Sequence, residues 1–288
     1  MRRCLTILAL ACAACANDLE KQSQVVKLRV LAIRADPAEL VVSAATPPPR
    51  TTFTALAVDP SGAPAKVRYA VCTDQNPTPS PTLDCPGTQG LDLPPAGDVS
   101  AVFDLSDPRY LSILAPADGG TADPSGLLRE GVPVVVGFEA TGPGSSDGGV
   151  LQTLRGYTTV VVHDDSRPAN RNPDLTSLRI GPDGGVDLEP NVPTPVPLNT
   201  VERLTPLPAP DAKEQTAVGP EKLNYSFFAT SGELSALRST DTTATGEPAD
   251  TFVDWTTAPD AGPARLWVVV RDGWGGTGWL QCDVSVSP

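Results

Sequence analysis

Leu223-Asn224-Tyr225-Ser226-Phe227-Phe228, Thr251-Phe252-Val253-Asp254-Trp255, Leu266-Trp267-Val268-Val269-Val270-Arg271-Asp272-Gly273-Trp274-Gly275-Gly276 and the run from Leu280 to Val286 decide the fold. They are four short runs of β-branched and aromatic residues, separated by Gly, Pro, Asp and Ser. That pattern predicts strands of an antiparallel sandwich. Successive side chains of a strand face opposite ways. With a turn opening at Asp272-Gly273, Leu266, Val268 and Val270 share one face, and Leu280, Cys282, Val284 and Val286 share one face of the next strand. Together they predict a buried layer. The opposite parity carries Trp267, Val269 and Arg271, then Trp279, Gln281 and Asp283. Gly273, Gly275, Gly276 and Gly278 supply turn conformations that other residues resist.

The segment Val268-Val269-Val270-Arg271-Asp272-Gly273-Trp274-Gly275-Gly276, followed by a polar strand ending in Val284-Ser285-Val286, resembles the last hairpin of PKD-type and other bacterial Ig-like domains. The resemblance covers the C-terminal part well and implies an Ig-like sandwich there. It departs from the PKD pattern at Tyr225-Ser226-Phe227-Phe228-Ala229, where a Trp-Asp-Phe-Gly-Asp type of motif would stand. It implies a fold and no ligand.

The 288 residues suffice for two domains, and 32 Pro with 25 Gly argue against long helices. The first domain is expected over residues 25–163. Val26 to Ile33, Thr52 to Val58, Lys66 to Cys72, Val99 to Phe103, Val132 to Phe138 and Thr153 to Val162 read as its strands. Its opening resembles that of uncharacterised Ig-like envelope lipoproteins. Residues 164–174 are polar, contain Pro168 and Pro173, and are expected to be a linker. A second, PKD-like sandwich is expected over 175–288. Its Pro-rich stretch 189–212 reads equally as an edge strand with long loops or as extended polyproline II. The fold class is therefore all-β, two antiparallel Ig-like β-sandwiches behind an N-terminal signal peptide.

Residues 1–16 have the form of a targeting segment. Arg2 and Arg3 precede a short apolar core from Leu5 to Ala14, too short to span a bilayer. Small residues before Cys15 resemble a bacterial lipobox, with Cys12 as the alternative attachment point. The competing reading is cleavage after Ala14-Cys15-Ala16. Either sends the chain to the cell envelope, anchored at the outer membrane or free in the periplasm or at the cell surface, with a lipid as the sole membrane attachment. Residues 17–24 are expected to be a tether. In an exported chain Cys72 and Cys85 are expected to form a disulfide, whose loop closure would stabilise by about 3 kcal/mol. Cys282, on the core parity, is expected to be buried.

The net charge of −13, without Lys/Arg clusters, excludes nucleic acid as a natural partner. Asp-Gly-Gly at Asp118, Asp147 and Asp183 lacks the spacing of a calcium loop and reads as turns. No metal and no cofactor is expected. His163, the one histidine, reads as a surface residue at the linker, and no G-x-S-x-G elbow accompanies it. Glu221, Glu233 and Asp254 are carboxylates that a glycoside hydrolase would pair, yet any acidic chain offers such sets. The sharpest candidates are Trp267, Trp274 and Trp279. They form either an exposed binding patch for an envelope protein or polysaccharide, or a face packed on the first domain. The sequence therefore predicts a structural or protein-binding module, with carbohydrate binding as the alternative and hydrolysis last.

Overall fold

A computed structural model describes residues 21–72, 90–111, 124–144, 151–182, 184–190, 192–216, 219–243 and 245–288. The first part of the chain runs β1 (Arg29–Asp36), β2 (Glu39–Val42), β3 (Arg50–Val58), β4 (Lys66–Cys72), β5 (Gly90–Asp92), β6 (Pro95–Gly97) and β7 (Ser100–Asp104). Two short helices follow, α1 (Pro108–Leu111) and α2 (Pro124–Glu130), then β8 (Val132–Gly142) and β9 (Gln152–Asp164). After residues 165–174 come β10 (Leu175–Ile180), β11 (Val186–Leu188), β12 (Thr194–Pro197), β13 (Val201–Pro208), β14 (Gln215–Thr216) and β15 (Gly219–Pro220). The chain ends with β16 (Asn224–Ala229), β17 (Glu233–Leu234), β18 (Arg238–Thr240), β19 (Val253–Thr256), β20 (Gly262–Arg271) and β21 (Thr277–Ser287).

These strands make four large sheets, paired into two sandwiches. Sheet I has the order β1-β3-β7-β6 and sheet II the order β2-β9-β8-β4-β5. Between them lies one core, in which Phe53 stacks on Tyr69 and Phe103 meets Tyr110 edge-on. Sheet III is β11-β10-β13-β19-β17 and sheet IV is β12-β21-β20-β16-β18. Their shared core holds Trp255, Tyr225, Phe227 and Leu234 together with the valines of the last hairpin. The alternation argument holds there: Leu266, Val268 and Val270 are buried with Cys282, Val284 and Val286, and Leu280 is half-buried against the same cluster. Cys282 is a free thiol, and burial pushes its pKa up to about 12.

The two sandwiches share one topology. β1-β3-β7 corresponds to β10-β13-β19, and β2-β9-β8-β4-β5 corresponds to β12-β21-β20-β16-β18. In each, a short strand leaves the first sheet and runs parallel to the last strand, β2 beside β9 and β12 beside β21. The antiparallel plan expected from sequence therefore carries one parallel edge pairing per sandwich. The Pro-rich stretch resolves into an edge strand, β12, and an inner strand, β13. Pro206 and Pro208 lie past the end of the β13–β19 ladder, which spans Val201 to Leu204. There β13 is paired on one side alone, where a missing N–H is tolerated.

Candidate functional site at the sandwich junction

The hairpin between β20 and β21 is built around one carboxylate. Gly273 and Gly275 take positive φ (83° and 111°), which turns the chain inside five residues. Asp272 Oδ1 accepts from the backbone N–H of Trp274 (2.7 Å) and of Gly276 (3.0 Å). Its Oδ2 accepts from Asn170 Nδ2 at 2.9 Å. Asp272 is buried, and burial pushes its carboxyl above the usual range against those three donors.

Asn170 belongs to the segment expected to be a linker. Its backbone N–H donates to Glu39 Oε2 at 2.7 Å, so one residue bridges a buried carboxylate on β2 and another beyond β20. Arg167 closes on Glu39 as a fork, Nη1 to Oε2 at 2.9 Å and Nη2 to Oε1 at 3.0 Å. Burial alone would raise the Glu39 carboxyl. The Arg167 fork and the Asn170 N–H outweigh it and hold the carboxyl below its ordinary value. Two residues on, Asn172 donates from Nδ2 to the Ala35 carbonyl (2.7 Å) and accepts the Thr277 N–H at Oδ1 (2.9 Å). The segment lies so close to the hairpin that a Cβ on Gly276 would collide with the Arg171 carbonyl and one on Gly278 with the Pro173 carbonyl. The glycines read from sequence as turn formers are thus also the floor on which residues 170–173 rest.

An apolar seam continues this polar clamp. Leu31, Ala32, Leu56 and Val58 project from the outer face of sheet I, and Trp267 and Val269 from the outer face of sheet IV. They form one cluster with Val25, and Phe228 and Trp279 pack against it. Trp267 is 3% exposed, and its Nε1 donates to Gln281 Oε1 at 3.0 Å. The Arg34 guanidinium lies 5.1 Å from the Trp279 ring centroid. Arg271 Nη2 donates to the Leu31 carbonyl at 3.0 Å.

The N-terminal segment adds a third connection. Residues 17–24 were expected to be a tether. Of these, 21–24 are described, and they dock on the second sandwich. Ala229 N–H donates to the Ser23 carbonyl (3.0 Å), and Val25 N–H donates to the Ala229 carbonyl (2.9 Å). Gln24 Nε2 donates to the Gly232 carbonyl (2.9 Å), and Lys21 pairs with Glu233 (2.5 Å).

This geometry corrects the expectation of an exposed three-Trp patch. Trp267 and Trp279 share the outer face, as parity requires, but sheet I covers that face. Trp274 alone of the three is solvent-facing, 59% exposed at the tip of the hairpin. His163 was expected at the surface. It is wholly buried, with Nδ1 donating to the Asp164 carbonyl and Nε2 3.3 Å from Glu39 Oε2. Glu221 is buried, Glu233 is held by Lys21, and Asp254 lies half-buried on β19. Cys72 is buried and is not a free thiol. Cys85, Cys12, Cys15 and the Asp residues of the three Asp-Gly-Gly runs lie outside the described residues.

The sequence matches no protein-family model and no curated protein. Among solved structures, the chain is similar to the D00-D0 domain of intimin (11% identity, 89% of this chain and 100% of that one, TM-score 0.26). It is also similar to Sidekick-1 immunoglobulin domains 1–5 (11% identity, 92% and 40%, TM-score 0.22) and to the Yersinia pseudotuberculosis adhesin InvE (13% identity, 89% and 58%, TM-score 0.24). Of the last two proteins this chain spans less than two thirds. A likeness this distant carries no argument about fold or function. The chain is an all-β protein of two β-sandwiches, and what it does is argued from its own residues.

Proposed function

We infer that this chain is a non-catalytic binding module of the bacterial cell envelope, whose two sandwiches, residues 25–163 and 175–288, are presented to a protein partner as one rigid unit. The observation that supports this reading is the junction. Two buried carboxylates, one bridging asparagine and an apolar seam with two tryptophans fix one sandwich against the other, where a spacer of independent beads would have a solvated linker. The same clamp fixes the hairpin from behind and leaves Trp274 exposed in front. An aromatic side chain held on a rigid loop loses little conformational entropy on binding and suits an anchor contact. Export, a lipid on Cys15 (alternatively Cys12) and a Cys72–Cys85 disulfide complete the proposal. They rest on the sequence pattern of residues 1–16 and on the pairing expected of two cysteines in an exported chain.

Crosslinking in intact cells, with the native chain beside Trp274→Ala, tests the reading. Recovery of a defined protein with the native chain, lost in the variant, is the expected result. Equal recovery from both removes Trp274 from the contact, and hydrolytic turnover of a cell-wall substrate by the purified chain overturns the non-catalytic reading.

A further inference from the structure

The outer face of sheet III carries a cross-strand ion pair that does not close. Elsewhere three directly opposed arginine and carboxylate pairs meet, whereas Arg50 opposite Asp104 does not. Arg179 Nε reaches Asp187 at 2.7 Å, Arg155 Nε reaches Glu139 at 2.8 Å and Arg265 Nε reaches Asp283 at 2.6 Å. Arg203 on β13 and Asp254 on β19 are opposed in the same way. Yet the Arg203 guanidinium stacks on the Phe252 ring, 3.8 Å from its centroid, and the two charges part around a recess of 420 Å³. Arg203, Asp254, Val201 and Pro182 line it. The buried Nε of Arg203 has no hydrogen-bond partner. Among the described residues neither side chain forms an ion pair.

We propose that this recess binds a neutral saccharide, with Arg203 donating to and Asp254 accepting from adjacent hydroxyl groups of one sugar ring. The chemistry of the walls selects the class. A ligand must offer an acceptor to a guanidinium and a donor to a carboxylate a short distance apart, and adjacent ring hydroxyls do both. It must also cover apolar surface, because Val201 is 65% exposed beside Pro182, and the C–H face of a pyranose fits that floor. An anionic ligand is opposed by Asp254 and by the net charge of −13, and a cationic ligand by Arg203. The volume lies within the range of small-ligand sites, about 300–1,000 Å³. Cation–π stacking on Phe252 fixes the guanidinium plane in advance, so its remaining donors are aimed before the ligand arrives.

The inference deepens the binding-module reading and adds a second ligand surface distinct from Trp274. Affinity electrophoresis of the full chain in gels containing xylan, galactomannan or mixed-linkage β-glucan tests it, with Arg203→Ala, Arg203→Lys, Asp254→Ala and Trp274→Ala run alongside. Retardation by at least one polysaccharide is expected. Arg203→Ala and Asp254→Ala should weaken it about tenfold or more, since each removes charge-assisted hydrogen bonds; Arg203→Lys should weaken it less, and Trp274→Ala should leave it unchanged. Absence of retardation in all three gels, or retardation unchanged in the Arg203 and Asp254 variants, overturns the recess as a site. Loss in Trp274→Ala alone also overturns it, moves the saccharide to the hairpin and leaves the binding-module reading standing.

Discussion

The last hairpin of the first sandwich, β8–β9, and that of the second, β20–β21, occupy the same place in the same strand order. Both put valines into the core and an aromatic residue on the outer face. On β9 that residue is Tyr157, which is 47% exposed; on β20 it is Trp267, which is buried. Strand parity is equally clear in both sequences. The difference is that sheet I of the first sandwich covers the outer face of sheet IV, so Trp267 acquires neighbours from residues more than 200 positions earlier in the chain. Alternation tells which side of a sheet a residue faces, and it does not tell whether that side is covered.

The largest expected effect tests whether the two cores act together. Trp255→Ala, in the second core, should cost about 3–5 kcal/mol, and Phe53→Ala, in the first, a similar amount. With the junction intact each should lower a single cooperative transition in calorimetry. Two separated transitions in the native protein would mean that the sandwiches are energetically independent.

Gly278→Ala places a methyl against the Pro173 carbonyl and forces the linker off the hairpin, at a cost of about 1–3 kcal/mol. The same change at Gly62, which has open space around it, meets no neighbour and strains only its positive φ. Limited proteolysis should therefore cut within residues 164–174 in the Gly278 variant and not in the Gly62 variant.

Glu39→Gln removes the charge that holds Arg167 and Asn170 together, and should cost about 1.5–3 kcal/mol at neutral pH. The folded pKa of Glu39 is depressed, so its contribution is present above the unfolded value near 4.5 and is lost as pH falls through the folded value. Urea titrations of the native chain should show that acid loss, and the variant should lack it. Asp272→Asn acts with the opposite sign. Its folded pKa is raised, so the native chain gains stability relative to the variant as pH falls through that raised value. The asparagine keeps an acceptor for Trp274 and Gly276 but turns an amide toward Asn170, and Asn170→Asp should partly restore the bond. The smallest effect is at Cys282: a thiol reagent at pH 8 should leave it unlabelled until the chain unfolds, because the thiol is buried and its pKa is raised to about 12.

Much of this fold was legible. The runs around Tyr69 and Phe103 alternate because one face of each strand is buried in the core, and the burial of Cys282 followed from strand parity. The shared topology was not legible strand for strand, since β12 and β13 are obscured by prolines that edge and half-paired positions tolerate. The clamp was legible only as polarity. Asn170, Arg171 and Asn172 read as a solvated linker because asparagine serves turns and buried bridges alike. His163 read as exposed for the same reason: its carboxylate neighbour Glu39 lies on a strand that is distant in sequence and parallel in space.

By itself the sequence determined the all-β class, the two cores and the turn at Asp272–Gly276, because strand period and glycine conformation are local properties of the chain. Only the tertiary structure decided that Trp267 and Trp279 lie in a seam, that Asn170 joins Glu39 to Asp272, and that Arg203 and Asp254 stand apart around a recess. Those outcomes depend on which surfaces meet and on which of several partners a charged group reaches, and such non-local contacts leave no periodic mark in the sequence.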